Sequence, residues 1–151
     1  MKESNSLIPI NSIQRICLLV LTIGLGFLLF NTQFNSLNKK NNLEKLARQS
    51  MSPEIAINNH KPSIFEFYAD WCEVCQEMSS SMLSMTNKYN NQINFVFLNV
   101  DNPLWENYIN KFNVNGIPYI VSFDSDGKYY DSFNGYKSEE EINSFLNALN
   151  A

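Results

Sequence analysis

Two short runs of aromatic and β-branched residues, Ser63 to Ala69 (SIFEFYA) and Ile93 to Val100 (INFVFLNV), are nearly continuous in apolarity. A strand wetted on one face alternates apolar with polar residues, so runs like these belong to strands buried on both faces. Between them Cys75, Met78, Met82, Met85 and Tyr89 recur at spacings of 3, 4, 3 and 4, which is one face of an α-helix. Strand, helix and strand make a parallel βαβ unit, whose crossover is right-handed in nearly every fold.

The rest of the pattern extends that unit. Asp101-Asn-Pro103 is a helix start with proline in the first turn, followed by the stripe Leu104, Trp105, Tyr108, Ile109 and Phe112. Tyr119 to Phe123 (YIVSF), the turn Asp124-Ser-Asp-Gly127 and Lys128 to Phe133 (KYYDSF) read as a β-hairpin. Ser138-Glu-Glu-Glu141 is a capping box that opens a helix with Ile142, Phe145, Leu146 and Leu149 on one face. With a short helix at Pro53 to Asn59, the order is α, then βαβαββα. The expected fold class is α/β, a mixed sheet flanked by helices.

Upstream, Ile16 to Phe30 (ICLLVLTIGLGFLLF) is free of charge. Crossing a bilayer takes roughly 20 residues of helix, so the span borrows from both flanks and covers 13–34. The NTQFNSLN that follows offers no A-x-A-like cleavage site, which favours an uncleaved anchor in membrane lipid over a signal peptide. The organisation is then a short tail at 1–12, an anchor at 13–34, a polar stalk at 35–52 with a short helix near Asn41 to Met51, and a folded domain at 53–151. Lys39, Lys40, Lys45 and Arg48 outnumber Lys2 and Arg15 across the span, a balance that on its own keeps the carboxy side in the cytoplasm. The net charge is −4, with 11 basic and 15 acidic side chains and no basic stripe. Nucleic-acid binding is not expected.

Two of the chain's three cysteines sit in Tyr68-Ala-Asp-Trp-Cys-Glu-Val-Cys-Gln-Glu-Met78. Structural zinc needs four ligands, and one Cys-x-x-Cys pair with His60 as the sole histidine falls short. A staple across two intervening residues closes too small a loop to restrict the unfolded chain much. Thiol exchange, by contrast, needs an attacking thiolate with a second thiol close enough to resolve the mixed disulfide. The helical stripe assigns the parts. Cys75 lies on the buried face, and Cys72 lies at the helix start, where backbone N–H groups favour thiolate. Cys72 is the candidate nucleophile and Cys75 the resolving thiol. Asp70, Glu73 and Glu77 add negative charge that disfavours a thiolate, so the pair is expected near the reducing value of about −270 mV rather than the oxidising value of about −120 mV.

Phe67-Tyr-Ala-Asp-Trp-Cys-Glu-Val-Cys75, with Val114-Asn-Gly-Ile-Pro118 further on, resembles the Trp-Cys-x-x-Cys and Gly-Ile-Pro pattern of thioredoxins over nearly all of 53–151. Within that superfamily the Cys-Glu-Val-Cys spacer and the anchor are most similar to membrane-anchored thylakoid thioredoxin-like proteins, the cyanobacterial TxlA group and its chloroplast counterpart for cytochrome b6f assembly. The resemblance implies that Pro118 is a cis proline facing the disulfide, that Ile117 offers backbone contacts to a bound substrate strand, and that Trp71 walls the groove. It makes Glu66 a candidate proton relay beneath Cys75. Phe97 departs from the pattern, replacing a lysine often paired with that acid. The resemblance further implies a protein-disulfide reductase that needs no cofactor beyond its own cysteine pair. Its domain would face the thylakoid lumen or the periplasm, take electrons from a transmembrane thiol donor and reduce clients such as apocytochromes.

A different class remains open. Met78, Met82 and Met85 beside two cysteines are soft ligands suited to copper(I), which makes a copper-binding or cofactor-assembly chaperone the alternative; as core residues they fill gaps instead. Cys17, in the anchor, is read as a small apolar residue.

Overall fold

The computed structural model describes residues 11–151, so the first ten residues of the expected tail lie outside the described residues. Helix α1 runs Ser12–Gln49 and α2 Pro53–Asn58. Strand β1 (Ser63–Tyr68), α3 (Glu73–Tyr89) and β2 (Asn94–Asn99) form the expected crossover. A 3-10 turn at Pro103–Trp105 leads into α4 (Glu106–Lys111), and β3 (Tyr119–Phe123), β4 (Tyr129–Asn134) and α5 (Glu139–Leu149) complete the chain. The single stripe expected from Leu104 to Phe112 is thus broken into two pieces.

The sheet order is β2-β1-β3-β4. β1 pairs parallel with β2, Glu66 opposite Phe97, and antiparallel with β3, Glu66 opposite Ile120. All six residues of β1 are buried, as a central strand covered on both faces must be. Alternation along it sorts the core into two layers. Ile64 and Tyr68 face a cluster with Cys75, Met78, Met82, Ile142 and Leu146 from α3 and α5. Phe65 and Phe67 face Ala56, Val96, Val121 and Phe123, with Tyr108 and Phe112 packed against them.

Local chemistry sets the element ends. Ser138 Oγ accepts the Glu141 N–H at 3.3 Å while Glu141 Oε2 accepts the Ser138 N–H at 2.9 Å, the reciprocal capping box. Between β3 and β4, Asp124 Oδ1 accepts the N–H groups of Asp126 and Lys128 at 3.0 and 2.9 Å. Gly127 holds φ at +74° with Ile57 Cγ2 only 2.8 Å from where a Cβ would stand, so a side chain is excluded twice over.

The polar-stalk reading needs correction. Leu43 and Leu46 of α1 are buried in the same cluster as Cys75 and Met78, with Ala47 packed against it, and the folded unit begins at Asn38 rather than Pro53. Residues 43, 46 and 47 form a three-residue helical stripe that the surrounding Asn, Glu, Lys and Arg conceal in any average of polarity. Beyond it, Ser50 Oγ accepts the Phe97 N–H at 2.8 Å and Met51 N–H donates to the Phe95 carbonyl at 3.4 Å. These contacts cover part of the free edge of β2, which would otherwise present unpaired backbone groups.

Candidate active site

Because β1 and β2 run parallel, their carboxy ends open at one pole of the sheet, and the loops that follow them meet there. After β1 the chain turns at Asp70 and Trp71, held by the Cys72 N–H donating to the Ala69 carbonyl at 3.1 Å and by Gln76 Nε2 donating to the Asp70 carbonyl at 2.6 Å. Cys72 is the N-cap of α3. Its Sγ accepts the Cys75 N–H at 3.1 Å, so one of the unpaired donors of the helix start is aimed at the sulfur. That placement stabilises a thiolate there.

Cys72 and Cys75 are joined by a disulfide with Cα atoms 5.2 Å apart. Cys72 keeps 5 % of its surface and Cys75 none, so access is unequal in the expected sense although Cys72 is more enclosed than an open thiol. The spacer residues Glu73 and Val74 are exposed, as are Asp70 and Glu77. Trp71 is 66 % exposed yet not free, because its Nε1–H donates to Asp101 Oδ2 at 2.8 Å. In the sequence Asp101 reads only as part of a helix start; the cap there is Asn102, whose Oδ1 accepts the Leu104 N–H at 3.1 Å. Parallel pairing of Tyr68 with Asn99 was the usable signal, since it brings whatever follows β2 beside whatever follows β1.

The Ile117–Pro118 peptide is cis. Tyr119 pairs with Phe67, which sets Pro118 at the same pole as Cys72. Pro118 is buried, its carbonyl accepts the Gly135 N–H at 2.8 Å, and Ile117 packs against the cluster that contains both cysteines.

Glu66 lies in the middle of β1, on the face that carries Ile64 and Tyr68, and so points into the layer of Cys75 rather than toward Phe65. It is 1 % exposed, and neither carboxyl oxygen has a hydrogen-bond partner. Phe97, its neighbour on β2, is an apolar wall. Burial without a cation or donor penalises the charged form and pushes the carboxyl up to about 8. An acid of that strength is protonated at neutral pH and can exchange its proton within the range in which a thiol works.

Met78, Met82 and Met85, weighed both as copper ligands and as core, pack in the cluster that contains Cys72 and Cys75. Met78 and Met82 are fully buried and Met85 nearly so. Among the described residues no cluster of three or more His, Cys, Asp or Glu side chains is arranged to hold a metal ion. Cys17 lies in the apolar stretch of α1.

The thioredoxin family model matches residues 42–148. The thioredoxin-like protein HCF164, chloroplastic, of Arabidopsis thaliana is 38 % identical over 109 residues, 72 % of this chain and 42 % of the relative. The thiol:disulfide interchange protein TxlA of Synechococcus elongatus is 40 % identical over 86 residues, 57 % of this chain and 45 % of the relative. The chain therefore spans less than half the length of these two. Among solved structures, thioredoxin O2 of Arabidopsis thaliana in its oxidized state aligns with a TM-score of 0.56 at 26 % identity, covering 65 % of this chain and 83 % of that one.

Proposed function

The chain belongs to the thioredoxin family, and from that premise we propose that it is a membrane-anchored thiol:disulfide oxidoreductase working as a reductant of client proteins. The observation that carries this is the Cys72–Cys75 disulfide at the start of α3, with the less buried sulfur at the helix cap and the other enclosed. In the reduced state the Cys72 thiolate attacks one sulfur of a client disulfide, forming a mixed disulfide and releasing the second client sulfur, which takes a proton. Cys75 then gives up its proton and attacks Cys72 Sγ. The client leaves with two electrons and two protons, and the Cys72–Cys75 disulfide is restored.

Glu66 is suited to the second step. Its carboxylate form accepts the Cys75 proton as the disulfide closes, and its acid form returns a proton when a donor dithiol reopens that disulfide. Ile117 and Pro118 supply the backbone beside which an extended client segment lies, and Trp71, steadied by Asp101, walls the groove.

The apolar stretch of α1 is long enough to cross a bilayer, and the chloroplast and cyanobacterial relatives support a thylakoid or cytoplasmic membrane. In that setting the domain faces the lumen or periplasm, is reloaded by a transmembrane thiol donor, and keeps the haem-attachment cysteines of apocytochromes reduced during c-type cytochrome and cytochrome b6f assembly. The basic flank that argues against translocation includes Lys45 and Arg48, which lie on the surface of the folded unit where Arg48 pairs with Glu44. A folded domain of this length translocates largely regardless of such charge.

Insulin reduction by the full chain and by its Cys72→Ser and Cys75→Ser variants, run beside a copper(I) titration, tests the reading. Activity in the parent, loss in both variants and no stoichiometric copper binding are expected. Copper binding that both variants abolish, without reductase activity in the parent, would establish the chaperone instead.

A further inference from the structure

Asn-Gly occurs in this chain at Asn115-Gly116 and at Asn134-Gly135, and Asp-Gly at Asp126-Gly127. In such pairs the glycine nitrogen can attack the preceding side-chain carbonyl, because no Cβ shields it. The attack needs that nitrogen free, and the fold engages it in two of these pairs. The Gly127 N–H donates to the Asp124 carbonyl at 3.0 Å and the Gly135 N–H to the Pro118 carbonyl at 2.8 Å. Asn134 is held further as the last residue of β4, paired with Tyr119. Gly116 lies outside the helices and strands, and its N–H has no acceptor among the described residues. Asn115 beside it is exposed.

The surroundings make a change at that pair consequential. Val114 is anchored by its N–H to the Ile109 carbonyl at 3.1 Å, and Pro118 is buried, so only a short stretch stands between two fixed points. The Asn134 amide closes over Gly116, its Nδ2 standing 3.1 Å from where a Gly116 Cβ would be. Ile117 offers the backbone that the proposed function gives to a client, and the part of this inference that concerns activity rests on that reading.

We propose that Asn115-Gly116 is a site of spontaneous deamidation, that the fold spares Asn134, and that conversion at Asn115 slows client reduction. The Gly116 nitrogen gives up its proton to solvent and bonds to Asn115 Cγ, while the C–N bond of the side-chain amide breaks and ammonia leaves. Water then opens the succinimide ring at one carbonyl or the other, leaving aspartate or isoaspartate at position 115. One water is consumed and one ammonia released, with no redox change. Isoaspartate routes the main chain through the former side chain and lengthens it by one carbon. Between the fixed points at Val114 and Pro118 that carbon displaces Ile117, or drives Gly116 against Asn134. Either product adds negative charge to a pole that already exposes Asp70, Glu73, Glu77 and Asp101.

Ageing the full chain in detergent micelles, in warm and mildly alkaline buffer, tests both halves. Peptide mass spectrometry follows the amide-to-acid conversion at positions 115 and 134, and fragmentation at the N–Cα bond identifies isoaspartate. In the folded chain position 115 should convert faster by about tenfold or more, since freeing Gly135 first breaks a hydrogen bond and a strand end. In urea the two rates should converge. No conversion at 115, equal or faster conversion at 134 in the folded chain, or a ratio that urea leaves unchanged overturns the proposal.

Insulin reduction by fresh and aged protein then reads the consequence. The aged parent should lose activity that aged Asn115→Gln retains, because glutamine closes its larger ring far more slowly. Equal loss in both, or no loss in a converted parent, contradicts the link to the client loop. An inactive fresh parent is a separate failure, that of the reductase reading, and the conversion rates still decide the modification.

Discussion

Glu66, the proton relay proposed for the site, carries a testable pH dependence. A carboxyl without partners in an apolar layer stays neutral until the pH approaches about 8. Unfolded, it loses its proton near 4.5, so between those values the folded state binds more protons. The stability associated with the neutral acid is fully present below 4.5 and is lost as the pH rises through about 8, at up to about 1.4 kcal/mol per pH unit. Urea denaturation at pH 5, 6.5 and 8 should show this decline in the parent and a flatter profile in Glu66→Gln; parallel profiles would contradict the assignment. The same variant should lose an inflection near pH 8 in the rate of disulfide closure. The two cysteines differ in an equally readable way. A Cys75→Ser variant should accumulate client mixed disulfides through Cys72, because nothing remains to resolve them, while Cys72→Ser should accumulate few. Equal capture by both would remove the distinction between attacking and resolving thiols.

Among the elements, those legible in the sequence are the ones whose patterns are long and uninterrupted. The runs 63–69 and 93–100 became β1 and β2 within a residue at each end, and the stripe from Cys75 to Tyr89 became α3. Two parts were obscured for physical reasons. The Leu104 to Phe112 stripe breaks because Asn102 and Pro103 start a tight 3-10 turn that hands over to α4 at Glu106. The end of α1 reads as a stalk in sequence because only Leu43, Leu46 and Ala47 face the core among charged neighbours. That difference is measurable. Leu46→Ala should destabilise the fold by about 2 to 4 kcal/mol, as removal of a buried leucine does, whereas a change in a solvated stalk would stay within about 0.5 kcal/mol. Denaturant midpoints at equal m-value separate the two.

For the whole molecule, the sheet topology explains both what sequence could say about the site and what it could not. Cys72 and Cys75 were legible because the helical face sorts them, and Glu66 because a charged residue inside SIFEFYA has nowhere to go but the core. The partnership of Trp71 with Asp101 was not, since it depends on two loops brought together by parallel pairing across a long stretch of chain. With that partnership in place, Asp70, Glu73, Glu77 and Asp101 surround the disulfide with exposed negative charge, opposing the helix-start stabilisation of the Cys72 thiolate. The proposed reductant role depends on which way electrons leave this pair. Redox equilibration of the full chain against glutathione and dithiothreitol buffers should give a potential close to about −270 mV, the poise of a reductant, whereas a value above about −180 mV, that of an isomerase, would contradict the account.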